Sequence, residues 1–476
     1  MSLRLSQLAT VLLVSSSLAG CSALVRTAYQ PPEVSIPNSF QQAKNTPQSW
    51  SVDVYADQWW TLFQDTGLNQ LVDRVLTQNS NLAIAGITLK QARLQADLAK
   101  NAELFRVNSS ASAGHSVDLN AGQDQSKGLS LNAGVSYELD LFGKLNRQTE
   151  AARWEAAASA EDLQATAQSL IATTANLYWQ LGYLHQHLDT AQQSLASSEK
   201  LLELVRAQYR AGAVSGLEVV QAQQALQSQK ATLSQIQQRL IETRTALAVL
   251  LHVPVQQLDL DEPKGLSQTR LPTIAAGLPA NLLARRPDLR AAELRLRKAL
   301  ANKDATKASF YPSINLTGNV GSSSTSLTQL LQNPVLTLGT NLSLPFLQYN
   351  DMQRDLQISA LDYEKSILNY RQTLYQAFAD VENALSNREQ TTQQLAYQQQ
   401  NLTLAERTER LTAIRYKNGA VALKNLLDAQ ETSRNARIAV VQAQQSQYQA
   451  YVTLMQALGG SPITSSSSIQ NNTARP

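Results

Sequence analysis

The side chains whose chemistry spacing can test first are one cysteine and four histidines. Cys21 ends the run Leu18-Ala19-Gly20-Cys21, behind Arg4 and an apolar stretch from Leu8 to Val14, and so stands at the cut of a secretory signal peptide. Leu-Ala-Gly-Cys resembles the lipobox of bacterial lipoproteins; cleavage there would leave Cys21 as the mature N-terminus with acyl glycerol on its sulfur. With one cysteine, no disulfide can form within the chain. His185 and His187 are two apart on a helix, about 200° around its axis from one another, which does not suit a shared metal. His115 and His252 have no partner at ligand spacing. No phosphate-binding glycine loop, nucleophile elbow or metal signature occurs. We expect no enzyme, and no cofactor beyond a covalent lipid on Cys21.

The elements around these residues are unusual. Of 476 residues only 6% are aromatic and 16% charged, with 14 prolines and an abundance of Ala, Gln, Leu and Ser, the usage of long helices. The net charge of +3 is spread without a basic run or aromatic ladder, which argues against nucleic-acid binding. Leu163, Leu170, Leu177 and Leu184 recur every seventh residue, and Leu181, Leu188, Leu195 and Leu202 form an interleaved series, the two apolar positions of a heptad. After a break at Gly212 to Gly216, Val219, Leu226, Leu233, Leu240 and Leu247 keep the period on a returning helix. A tract of about 65 residues extends on the order of 100 Å. An offset of 207 residues aligns the two halves, Y-R-A-G-A-V from Tyr209 against Y-K-N-G-A-V from Tyr416, and Leu82, Ala85 and Leu89 against Leu289, Ala292 and Leu296.

A tandem duplication follows. Residues 1–20 are expected to be a signal peptide and 21–56 a lipidated extended segment. The first repeat, 57–265, holds a β-hairpin near 107–141 and helices near 145–210 and 217–251. The second, 266–460, holds a hairpin near 313–347 and helices near 351–416 and 424–458, before a polar tail at 461–476.

After the signal peptide no run approaches the roughly 18 apolar residues of a spanning helix, so any membrane crossing must use strands. Leu129, Leu131, Ala133, Val135, Tyr137, Leu139 and Leu141 alternate strictly with Ser130, Asn132, Gly134, Ser136, Glu138 and Asp140. Val107 to Val117, Ile314 to Val320 and Leu336 to Phe346 behave similarly, joined as two hairpins by polar loops at Asp118 to Gly128 and about Ser322 to Pro334. Four strands cannot close a barrel, and hydrocarbon tolerates no open sheet edge, so further copies must complete it. Two copies would give a filled eight-stranded barrel; three give twelve strands and a lumen. The fold expected is mainly α, with a small transmembrane β part in a 12-stranded trimeric barrel and long coiled-coil helices forming a hollow α-barrel. A solitary coiled-coil scaffold, the competing reading, would have no pore.

Five motifs carry a resemblance. They are W-W-T-L-F-Q-D-x-G-L-x-x-L-V from Trp59, Y-E-L-D-L-F-G-K from Tyr137, Y-x-x-G-x-x-S from Tyr209, L-A-R-R-P-D-L-R-A-A-E from Leu283 and L-L-D-A-Q from Leu426. Together with the lipobox they make the mature chain similar to TolC-family outer-membrane efflux proteins, in particular the lipidated OprM-like, NodT-like branch. The resemblance implies a homotrimeric outer-membrane duct with its helical part in the periplasm. It would accept drugs or other small molecules from an inner-membrane transporter, of resistance-nodulation-division or ABC type, through a periplasmic membrane-fusion adaptor. The alternative is a type I protein-secretion duct. Ser22, which is not aspartate, matches outer-membrane sorting of lipoproteins.

The resemblance also assigns residues. Tyr209, Gly212, Ser215, Tyr416 and Gly419 would meet the adaptor at the periplasmic tips, positions that helix capping alone would also explain. Asp428 and Asn425 would line the periplasmic aperture, where three copies of Asp428 form a ring that focuses negative potential and favours cations. Asn425 replaces a second aspartate of TolC and Val421 an arginine, while the first repeat has Gln221 opposite Asp428.

Overall fold

The computed structural model describes residues 25–42, 58–118, 123–266, 271 and 285–460. Among these the elements run α1 (Thr66–Gln78), α2 (Ser80–Asn101), β1 (Arg106–Asp118), β2 (Gln123–Leu139), α3 (Lys144–Arg210) and α4 (Gly216–Leu251). There follow α5 (Pro287–Ser309), β3 (Ser313–Ser324), β4 (Val335–Ser343), α6 (Tyr349–Lys417) and α7 (Leu423–Ala457). No described helix is long and apolar enough to cross a membrane. The chain groups into two compact units, one containing Ile87–Glu161 and Arg290–Thr373, the other Ser35–Gly86, Asp162–Leu289 and Leu374–Pro476.

The first unit is organised by one antiparallel sheet in the order β1-β2-β3-β4. The two hairpins expected from sequence are not separate, because β2 pairs with β3 from Leu129↔Ser324 to Leu139↔Ile314. The register aligns most of the apolar positions on one face and most of the polar ones on the other. Val107, Val135, Gly318 and Leu338 lie in one row and Ala111, Leu131 and Ser322 in another on one face, while Asn108, Gly134, Asn319 and Thr337 line up on the other. Since side chains alternate faces, this register sorts the sheet into an apolar and a polar side. On the polar side, a Cβ at Gly134 would run into the carboxamides of Asn108 and Asn319, so glycine makes room for them.

Several strand boundaries differ from the sequence expectation, β3 for instance running on to Ser324. The polar run from Gln123 is ladder rather than loop, because antiparallel pairing uses backbone groups whatever the side chain; a bulge between Ser116 and Val117 absorbs the irregular register. β4 ends at Ser343 rather than Phe346, since Pro345 has no N–H to donate and opens the short turn Pro345–Leu347. β2 stops at Leu139 because Asp140 turns to cap the next helix, accepting from Leu145 N at 3.1 Å and Asn146 N at 2.8 Å. Around it Glu138 pairs with Lys144 and Phe142 stacks on Tyr311 at 4.6 Å, so Y-E-L-D-L-F-G-K is a strand-to-helix junction.

The second unit contains the helical reversals and an aromatic core. Leu163, Leu170, Leu181, Leu184 and Leu202 of the heptad series are buried, as are Leu226, Leu240 and Leu247 on the returning helix. Trp59 and Trp60 are buried, and Phe63 lies 4.7 Å from the Trp179 ring and 4.9 Å from that of Tyr451. The tryptophan-rich motif is thus packing rather than chemistry.

Candidate functional site

The two reversals of the long helices close alike. Gly212 and Gly419 both take φ of +71°, a left-handed angle that glycine adopts without a Cβ penalty. Gly212 N–H reaches Tyr209 O at 3.0 Å and Ala213 N–H reaches Gln208 O at 2.9 Å; the Gly419 and Ala420 amides reach Tyr416 O at 2.9 Å and Arg415 O at 2.8 Å. These paired bonds satisfy the last carbonyls of each helix.

The helices that leave the two turns start differently. Ser215 caps α4, its hydroxyl accepting from Leu217 N at 3.2 Å, and Glu218 reaches back to accept from Ser215 N at 3.0 Å. The hydrogen bond from Ser215 holds the Glu218 carboxyl below the usual range. Ala422 begins α7 with no side-chain cap. The tyrosines differ too. Tyr416 packs against the buried cluster of Leu202, Val205, Ala222, Leu226 and Leu423 and donates to Gln208 Oε1 at 3.1 Å, and burial, then Glu218, pushes its phenol up. Tyr209 is 52% exposed.

Asp428 lies in the second turn of α7, exposed, with Lys424 Nζ 2.7 Å from its Oδ2. Asn425 is exposed, its N–H bonded to Ala422 O at 3.0 Å. Asp428 shares a pocket of 320 Å³ with Gln221, Gln224, Gln229, Lys424 and Arg434. Burial pulls the Arg434 guanidinium below its usual value. Lys424 and Arg434 are the charges that sequence reasoning missed. The first was readable as an i,i+4 partner; the second was not, because its burial depends on how α4 and α7 pack. With side chains 66% and 64% exposed, the Lys424–Asp428 pair is worth only about 0.3–0.5 kcal/mol and opens easily.

The histidines take different partners. His185 Nε2 lies 2.7 Å from Glu262 Oε2, and Glu262 also receives the Arg244 fork at 2.6 and 2.7 Å. His187 is half-buried beside the Tyr183 ring at 5.7 Å. Among the described residues no three or more His, Cys, Asp or Glu side chains gather as a metal would require. Cys21 lies outside the described residues.

A sheet sorted into an apolar and a polar face, its edge strands β1 and β4 unpaired among the described residues, on a chain of long reversing helices, is the architecture of an outer-membrane channel subunit. The chain belongs to the outer membrane efflux protein family, which matches residues 71–251 and 278–460. It is 31% identical to the pyoverdine export outer membrane protein OpmQ of Pseudomonas putida, over 94% of this chain and 96% of that one. It is also 31% identical to the toluene efflux pump outer membrane protein TtgC of Pseudomonas putida, over 93% of both chains. The solved open state of the Neisseria gonorrhoeae MtrE outer membrane channel superposes with a TM-score of 0.79 at 30% identity, covering 92% of this chain and 98% of that one. The protein is an outer-membrane export channel.

Proposed function

We propose that three copies of this chain form the passive exit duct of a tripartite pump. The sheet carries this reading: it has a face for lipid, a face for water, and two edges, β1 and β4, that have no partner strand among the described residues. Three copies supply twelve strands and close those edges around a lumen. On α6, Tyr397, Leu404 and Leu411 repeat every seventh residue yet are 69%, 56% and 54% exposed, an apolar seam suited to a neighbouring helix.

In this duct the periplasmic adaptor meets the turns at Tyr209, Gly212, Ser215, Tyr416 and Gly419. Asp428, with Asn425 beside it, rings the aperture, and Cys21 carries the lipid anchor. The two family matches are two copies of one unit, bounded near 57–265 and 266–460. The duct breaks no bond, and an inner-membrane transporter supplies the energy. Cargoes as unlike as those named for OpmQ and TtgC support small molecules as the class, with selection left to the transporter.

The test is conductance. Purified protein should open pores in a planar bilayer, and a preparation that opens none would leave only a scaffold. Asp428→Ala is expected to raise single-channel conductance or weaken block by divalent cations; an unchanged channel removes Asp428 from the gate.

A further inference from the structure

Within the first unit, next to the start of β3 and the end of β4, Phe310, Tyr311, Pro312, Phe346, Met352 and Leu356 line an open apolar pocket of 330 Å³. One cation, Lys307, stands at its lining. No step of the export reading uses this pocket. Its position relative to the N-terminal segment is informative.

The described N-terminal residues run antiparallel to α5. The Thr27 amide and hydroxyl both donate to Asp304, each at 2.7 Å, while Tyr29 donates to Glu293 and its ring lies 4.5 Å beneath the Arg297 guanidinium. Further on, Glu33 O accepts from Arg371. Two residues forward along the segment therefore correspond to two to three turns back along α5, from Asp304 to Arg297 and Glu293. Followed in the other direction, from Tyr29 back to Thr27, the described residues run toward the C-terminal end of α5, where Lys307, Phe310, Tyr311 and Pro312 line the pocket. Arg26, 3.8 Å from Glu150 near the start of α3, points the same way, since α3 begins just after β2. The reach suffices. Six residues from Thr27 to Cys21 extend up to roughly 20 Å, whereas Asp304 to the helix end at Ser309 is roughly 8 Å.

We infer that this pocket seats an acyl chain of the lipid on Cys21. The inference rests on the proposed lipidation of that residue. The anchor would then lie partly against its own protein at the foot of the strands rather than wholly in the bilayer, holding the N-terminal segment in register along α5.

The experiment feeds cells a diazirine fatty acid, purifies the full-length protein, illuminates it and maps joined peptides by mass spectrometry. The expected result is the Cys21 lipopeptide joined to peptides containing Phe310–Pro312 or Met352–Leu356. Leu356→Trp, which fills the pocket, should lose that product while Cys21 keeps its lipid. If Cys21 is acylated but its lipopeptide joins only bilayer lipid, the seat is wrong and lipidation stands. Pocket peptides carrying free phospholipid, or no lipid because a neighbouring copy covers them, would also overturn it. An N-terminal peptide whose mass shows no acyl group overturns the lipidation reading and this inference with it.

Discussion

Arg286 donates to both oxygens of Asp288, at 3.0 and 2.7 Å, and to Asp380 at 3.1 Å, tying the start of α5 to α6. The arginine of the L-A-R-R-P-D motif is therefore a clamp. Its side chain is 11% exposed, while those of Asp288 and Asp380 are 41% and 35% exposed, so its loss should cost less than breaking a fully buried pair. Arg286→Ala is expected to destabilise by about 2 kcal/mol, read as a lower apparent Tm, and Arg286→Lys should recover little because an ammonium cannot fork. His187 supplies a pH dependence. Burial, reinforced by Arg239, depresses its folded pKa below the ordinary value of about 6.5. Between the two values the unfolded chain binds more protons, so stability falls as pH drops below about 6.5 and levels off below the folded value. The apparent Tm should decline through that window and the decline should shrink in His187→Gln. Glu262 acts lower: burial raises its carboxyl, but Arg244 and His185 outweigh that and leave it depressed, so its contribution is lost only below the normal carboxylate range. Neither effect was legible in sequence, because both depend on neighbours far along the chain.

The helices were the most legible elements, since a seven-residue leucine repeat can bury its stripe only as a helix against another helix. The strands were legible as alternation, but their ends depended on backbone pairing and on Pro345, which side-chain pattern reports poorly. At the turns, Ser215 combines two roles that one substitution can separate. Ser215→Ala removes the cap of α4 and should cost about 1 kcal/mol. Ser215→Asp restores an N-cap acceptor while changing the surface offered to a partner. If Ser215 touches the adaptor, adaptor binding measured by cross-linking falls in both variants; recovery in Ser215→Asp would reduce it to a cap.

For the whole molecule, the arrangement of faces decides which substitutions matter. Leu338 is 76% exposed on the apolar side and Thr337 is its neighbour on the polar side. In an assembled barrel Leu338→Arg should cost roughly 2–4 kcal/mol if it lies near the bilayer midplane, seen as loss of heat-stable trimer on gels, whereas Thr337→Arg should be tolerated. Equal behaviour of the two variants would contradict a lipid-facing apolar side. The sequence by itself determined the long helices, the alternating strands and the need for more than one copy, because these follow from local periodicity and from the rule that hydrocarbon admits no open edge. Only the tertiary structure decided that the hairpins join through β2 and β3, that a partly buried Arg434 shares a pocket with Asp428, and that an apolar pocket lies at the end of α5. Those features arise from residues far apart along the chain being brought together, and no periodicity in a linear chain encodes that.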